Sequence, residues 1–217
     1  LGHWSAVAGF GTGGEWQAQG EPHDFEVLRS GKSVAHVRWH LTGVHNEMNA
    51  LAAIAAAGHV GVAPAQAAQA LAGFENVRRR MELRGSIGRG AQAVHVYDDF
   101  AHHPTAIRTT LDGLRRSVGQ ARILAVFEPR SNTMKLGAMK SQLPWSLEQA
   151  DLAFCHTAGL DWDAAEALAP MGARASVAAN IEMLVAQIKA AVRPGDHIVC
   201  MSNGGFGGIH QRLLDAL

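Results

Sequence analysis

The residues best suited to chemistry lie in one run, Asp98-Asp99-Phe100-Ala101-His102-His103-Pro104. A carboxylate can hold ribose hydroxyls or a hydrated Mg²⁺ ion. An imidazole can meet a phosphate or relay a proton. The plainer alternative is a polar turn in which Asp98 and Asp99 cap the next helix. The elements that position this run are legible on either side. Ala93 to Tyr97 alternates and reads as a buried strand. Thr105 to Arg116 reads as a helix with Ile107, Leu111 and Leu114 on one face. The run therefore falls at the carboxyl end of a strand, where open α/β sheets bind ligands.

Two more strand ends are polar. Ile123 to Phe127 leads into Glu128-Pro129-Arg130-Ser131-Asn132-Thr133-Met134-Lys135. His197 to Met201 leads into Ser202-Asn203-Gly204-Gly205-Phe206-Gly207-Gly208, which feeds a helix and can offer backbone N–H groups to an anion. From Met81 onward strands are expected at 81–87, 93–97, 122–127, 151–155, 174–177 and 196–201. Helices are expected at 105–117, 146–150, 163–169, 180–191 and 207–216. This is the rhythm of a doubly wound, Rossmann-like α/β sheet, and three polar loops converge on one of its edges.

Residues 1–77 read differently. Glu15 to Gln19, Phe25 to Arg29 and Val34 to Trp39 are expected as short antiparallel strands. A helix opens near Leu41-Thr42-Gly43 and continues through Ala50 to Ala57, and a second runs from Pro64 to Leu71. Asn46 and Asn49 project from one side of the first turn, and an amide is a natural partner for adenine. On spacing alone, capping by Asn46 and local bonding by Asn49 is the preferred reading. Gly9 to Gly14 resembles a dinucleotide loop, but no helix follows it, so a plain loop is expected. Gly31-Lys32-Ser33 lacks the first glycine of a P-loop, since Glu26 stands there, and is read as a hairpin turn. The boundary to a second domain, residues 78–217, is placed where Arg78-Arg79-Arg80 precedes the first strand of the sheet. Three arginines there could clamp phosphate. A solvated basic turn is the bland alternative.

Composition sets outer limits. The 217 residues carry 19 Lys plus Arg against 19 Asp plus Glu, so no nucleic-acid or membrane footprint follows from charge. Cys155 and Cys200 each sit in an apolar run, as buried thiols of a reducing, cytoplasmic compartment do. No HxxxH or HExxH motif falls on a helix, and no metal ligands are assigned in this chain. Leu1-Gly2-His3-Trp4 lacks an initiator Met and reads as cut from something longer.

Five motifs in this order resemble the Mur ligase family. They are Gly43-Val44-His45-Asn46-Glu47-Met48-Asn49 with the alanine run after it, Arg79-Arg80-Met81-Glu82, the Asp98 to Pro104 run, Phe127 to Gly137, and Met201 to His210. The last two resemble the branch acting in peptidoglycan recycling. The resemblance implies the tail of a central ATP-binding domain followed by a domain that receives the amine substrate. It implies an ATP- and Mg²⁺-dependent ligase joining UDP-N-acetylmuramate to the murein tripeptide L-Ala-γ-D-Glu-meso-diaminopimelate through an acyl phosphate. By the same resemblance His45, Asn46, Asn49 and Arg80 would serve the nucleotide. Asp99, Asp98 and His102 would face ribose, phosphates and the reacting phosphoryl group. Arg130, Ser131, Asn132, Lys135, Ser202, Asn203, Gly205 and Phe206 would hold the peptide. A monomer is expected. The family's P-loop and Mg²⁺ ligands would precede Leu1, so this chain alone is expected to lack ligase activity. Two other readings stay open: the relative that adds L-alanine to the same sugar nucleotide, and a non-catalytic nucleotide-binding module.

Overall fold

A computed structural model describes Trp4 and residues 7–217; apart from Trp4, the run Leu1 to Trp4 lies outside it. The chain divides into two compact units, Leu1–Asn76 and Val77–Leu217.

In the first unit β1 (Trp16–Glu21), β2 (Asp24–Arg29) and β3 (Lys32–Arg38) form an antiparallel meander. Ser30 and Gly31, at φ 49° and 77°, make the two-residue connection between β2 and β3. Positive φ at both positions is what a tight hairpin requires, so Gly31 lies in a hairpin turn as expected, with Ser30 as its other residue, while Lys32 and Ser33 already belong to β3. The Gly9–Gly14 stretch is a loop leading into β1, pinned where the Trp16 N–H donates to the Gly9 carbonyl at 3.0 Å. Helices α1 (Val44–His59) and α2 (Pro64–Ala72) follow. Trp16, Phe25, Val27 and Val37 of the sheet share a core with Ala50, Leu51 and Ile54 of α1 and Ala68 of α2.

The second unit runs β4 (Glu82–Ile87), β5 (Val94–Asp99), α3 (Pro104–Val118), β6 (Ile123–Phe127), α4 (Asn132–Lys135), α5 (Leu143–Ser146), β7 (Leu152–His156), α6 (Ala164–Leu168), β8 (Ala175–Ala178), α7 (Ile181–Ala191), β9 (His197–Met201) and α8 (Ile209–Ala216). The sheet order is β4-β5-β9-β6-β7-β8. Every pair is parallel except β4 with β5, so the sheet has one antiparallel edge. The continuous apolar run of β6 is covered on both faces, as parallel strands are. Ile123, Ala125 and Phe127 join the core layer of Leu111 and Leu143, while Leu124 and Val126 join that of Leu184 and Leu213.

Two local expectations shift. The helical turn expected at 146–150 lies at Leu143–Ser146, because Pro144 favours a helix start and cannot sit deep inside one. The stretch 128–135, read as a loop, contains the short helix α4. Cys155 and Cys200 are free and buried, and burial drives both thiols well up in pKa, Asp98 adding to it at Cys200. Among the described residues no helix is long and apolar enough to cross a membrane.

The position of β9 sets up the site. It is the last strand in sequence yet lies between β5 and β6. Asp99 pairs with Met201, Met201 with Phe127, and Phe127 with Cys155. The next residue on each strand therefore stands in one row, namely Phe100, Ser202, Glu128 and His156.

Candidate functional site

Successive residues of a strand point to opposite faces. Asp98 and Asp99 accordingly do not form a carboxylate pair. Asp98 receives Arg79 Nε at 3.2 and 3.3 Å and lies 3.7 Å from an Arg84 guanidinium nitrogen and 3.4 Å from His210 Nε2 of α8. Asp99 is 2% exposed and faces α3. Its Oδ1 accepts from the Ala101 N–H at 2.8 Å and from Thr110 Oγ1 at 2.9 Å, and its Oδ2 accepts from the Met81 N–H at 2.9 Å. Neither aspartate caps α3. The cap is His103, whose Nδ1 accepts from the Ala106 N–H at 3.4 Å.

Burial alone would raise the Asp98 pKa, but hydrogen bonds and charge from His210 and Arg79 outweigh it and hold the carboxyl below its ordinary range. A depressed folded pKa adds stability that is complete above the unfolded value of about 3.9 and fades as pH falls through the lower folded value. Asp98→Asn should therefore flatten the acid limb of the stability curve. Urea unfolding between about pH 5 and pH 2.5 measures this, and an acid limb as steep as wild type's would contradict it.

Arg79, one residue before the linker arginine singled out from sequence, organises this end of the sheet. Its guanidinium also donates to the Ser202 carbonyl at 2.6 Å and lies 5.3 Å over the Phe100 ring. Arg80 is exposed. His102 is half-buried, its Nδ1 2.9 Å from the Phe100 carbonyl. The His103 imidazole is pushed down in pKa by burial and then by the charge of His102. In the first unit His45 and Asn49 are exposed in the opening turns of α1. Asn46 does not cap α1; Gly43 holds that position, and the Asn46 amide donates to the Thr42 carbonyl at 2.8 Å.

The loops after β6 and β7 enclose a cleft of about 240 Å³ lined by Glu128, Pro129, Arg130, Lys135, His156 and Ala158. The Ser202 hydroxyl donates to Glu128 Oε1. Arg130 reaches only 3.9 Å from the same oxygen, and its side chain is 54% exposed. His156 Nδ1 lies 3.6 Å from Glu128 Oε2, is buried and has no hydrogen-bond partner. Arg130 crosses the glycine loop so closely that a Cβ on Gly204 would meet its guanidinium nitrogen at 2.2 Å. Among the other sequence candidates, Ser131 opens α4 and Asn132 and Gly205 are exposed. The Asn203 side-chain oxygen is buried without a partner. Ser202 is 1% exposed, and Phe206, also 1% exposed, belongs to the apolar core with Leu184 and Leu213.

Glu128, His156 and His210 were given no role from sequence, and Arg79 only a share in the three-arginine phosphate clamp. For Glu128 and His156 the usable signal was position, since each is at or just past the end of an apolar strand. His210 carried no such signal, because only the fold brings α8 to β5. Among the described residues no group of three or more His, Cys, Asp or Glu is placed to hold a metal.

Residues 79–204 match the family described as Mur ligase, glutamate ligase domain. The UDP-N-acetylmuramate–L-alanyl-γ-D-glutamyl-meso-2,6-diaminoheptandioate ligase of Escherichia coli K12 is 51% identical across all of this chain and 48% of that protein. The UDP-N-acetylmuramate–L-alanine ligase of Mycobacterium sp. strain JLS is 33% identical over 93% of this chain and 43% of its own length. The crystal structure of a murein peptide ligase from Psychrobacter arcticus 273-4 covers 94% of this chain with a TM-score of 0.70 at 40% identity, using 44% of its own length. The chain spans about half the length of the curated relatives it matches. With its sheet, its strand-end loops and its sequence all of one kind, the chain belongs to the Mur ligase family.

Proposed function

We propose that this chain is part of an ATP-dependent ligase that joins UDP-N-acetylmuramate to L-Ala-γ-D-Glu-meso-diaminopimelate, and that the cleft at Arg130 receives the peptide. A free carboxylate is a poor acyl donor, so ATP first transfers its γ-phosphoryl group to the sugar carboxylate with release of ADP, and the peptide amine then attacks the acyl phosphate, forming the amide with loss of inorganic phosphate and a proton. The observation that carries the reading is the Arg130 guanidinium, held across Gly204 with Lys135 in the same cleft and only loosely paired with Glu128. A forked guanidinium suits a carboxylate, and the peptide bears several. Residues 1–77 supply the end of the ATP-binding domain in this reading. In the first unit His45 and Asn49, exposed on α1, and the side-chain amide oxygen of Asn46 are the groups proposed for adenine; in the second, Arg80 is the cation proposed for phosphate. Asp99 acts as a positioning residue, and Asp98 does so through Arg79. His102 is the imidazole offered to the phosphoryl group. Among the described residues no three His, Cys, Asp or Glu side chains are grouped to cage a Mg²⁺ ion.

Gly204→Ala tests the cleft on the 217-residue chain. The clash is with the far end of a flexible side chain, so the fold should survive while Arg130 is displaced. Titration calorimetry should show tripeptide binding weakened about tenfold or more, with stability within about 1 kcal/mol of wild type. Unchanged tripeptide affinity would remove Arg130 from the peptide site. The greater identity to the tripeptide ligase than to the L-alanine ligase, 51% against 33%, favours tripeptide over L-alanine. Measured preference for L-alanine would reverse that choice.

A further inference from the structure

We propose that Ser202 is a positioning residue through which the cleft and the turn at residues 79–81 hold each other in place; the identity of the cleft's ligand rests on the function proposed above. Every polar atom of Ser202 is engaged. Its N–H donates to the Asp99 carbonyl at 3.1 Å, and its hydroxyl donates to Glu128 while accepting from the Gly204 N–H at 2.8 Å. Its carbonyl accepts from the Arg79 guanidinium at 2.6 Å. A polar path thus crosses the carboxyl edge of the sheet from His156 through Glu128, Ser202 and Arg79 to Asp98 and His210.

The turn at the other end of the path is strained. Arg79 and Met81 hold φ of 61° and 52°, a region that side chains other than glycine occupy at a cost. Such residues persist only where their surroundings over-determine them. Here the Arg79 N–H donates to Glu82 at 2.9 Å, the Phe100 N–H to the Arg79 carbonyl at 2.8 Å, and the Met81 N–H to Asp99 at 2.9 Å. The Arg79 side chain adds its bonds to Asp98 and Ser202. Loosening Ser202 removes one of these restraints and lets the turn relax. A charged ligand at Glu128 and Arg130 acts on the Ser202 hydroxyl from the other side. If the two ends are linked, each must bias the other by the same free energy.

Arg78, Arg79 and Arg80 make the turn a trypsin target, which gives a readout on the 217-residue chain. Ser202→Ala should speed cleavage at these arginines about tenfold without ligand, and Ser202→Thr, which keeps the hydroxyl, should restore most of the protection. Tripeptide should slow cleavage of wild type about threefold or more and should not slow that of Ser202→Ala. Ser146→Ala removes another fully buried serine, bonded only to the Leu143 carbonyl and outside the path, and controls for general loosening. Equal acceleration in both alanine variants, or none in Ser202→Ala, overturns the proposal. If Ser202→Ala loosens the turn but tripeptide neither binds nor protects wild type, the ligand assigned to the cleft falls and the positioning role of Ser202 stands. Should Ser202→Ala fail to fold, Glu128→Gln reads the same path from the cleft end. Faster cleavage supports the path, and a wild-type rate overturns it.

Discussion

Asp99→Ala should lower the melting temperature of the Val77–Leu217 unit by roughly 10–15 °C. The carboxylate is buried and accepts three hydrogen bonds, two from backbone N–H groups and one from Thr110. Alanine leaves all three donors without a partner in a site closed to water. Each orphaned buried group costs about 1–3 kcal/mol, and the costs overlap, so about 4 kcal/mol is expected. A unit of this size loses roughly 3–4 °C per kcal/mol. Asp99→Asn keeps one acceptor oxygen and should lose about half as much. Scanning calorimetry on the 217-residue chain decides. A shift under about 3 °C for Asp99→Ala would mean that water reaches the site and replaces the carboxylate. The ligase carrying Asp99→Ala should also turn over at least about tenfold more slowly, by loss of the linker turn rather than of a reacting group.

Arg130→Lys in the full ligase should raise the KM for tripeptide by roughly ten- to a hundredfold and leave that for ATP within about twofold. A guanidinium holds a carboxylate through two parallel hydrogen bonds, and an ammonium cannot reproduce the fork. Such charged bonds are worth roughly 1.5–3 kcal/mol each, and about 1.4 kcal/mol is one decade. The competing role for Arg130 is an ion pair with Glu128. At 3.9 Å on a half-exposed side chain that pair is loose and contributes little. Steady-state kinetics with each substrate varied in turn separates the two. A rise in the ATP term with the tripeptide term unmoved would assign Arg130 to the nucleotide.

The sheet was legible in the sequence because parallel strands are short apolar runs that end in polar loops, and β5, β6 and β9 each announce themselves so. The convergence of three loops was also legible, though not its cause, since strand order depends on contacts between residues a hundred positions apart. The separate surroundings of Asp98 and Asp99 were not legible, because adjacent letters do not say which helix each face of a strand meets. On a strand they face opposite helices, α8 and α3. In Arg78-Arg79-Arg80 no local rule distinguishes the members. The fold chooses Arg79, whose positive φ turns its side chain onto Asp98 and Ser202. The displaced helical turn at 143–146 was recoverable from Pro144, whose signal the apolar residues after it obscured.

The placement of β9 also fixes an order of events. In the finished sheet β5 and β6 share no hydrogen bonds, and β9 alone joins them. During synthesis the ribosome releases β4, β5, β6, β7 and β8 before it releases residues 197–201. Until then the edges of β5 and β6 that take β9 have no strand to pair with. Exposed strand edges of this kind invite mispairing, and contacts that close long loops form slowly. A strand made after its five partners thus fills the centre of the sheet, so a chain stopped short of residue 197 would lose that centre rather than trim an edge.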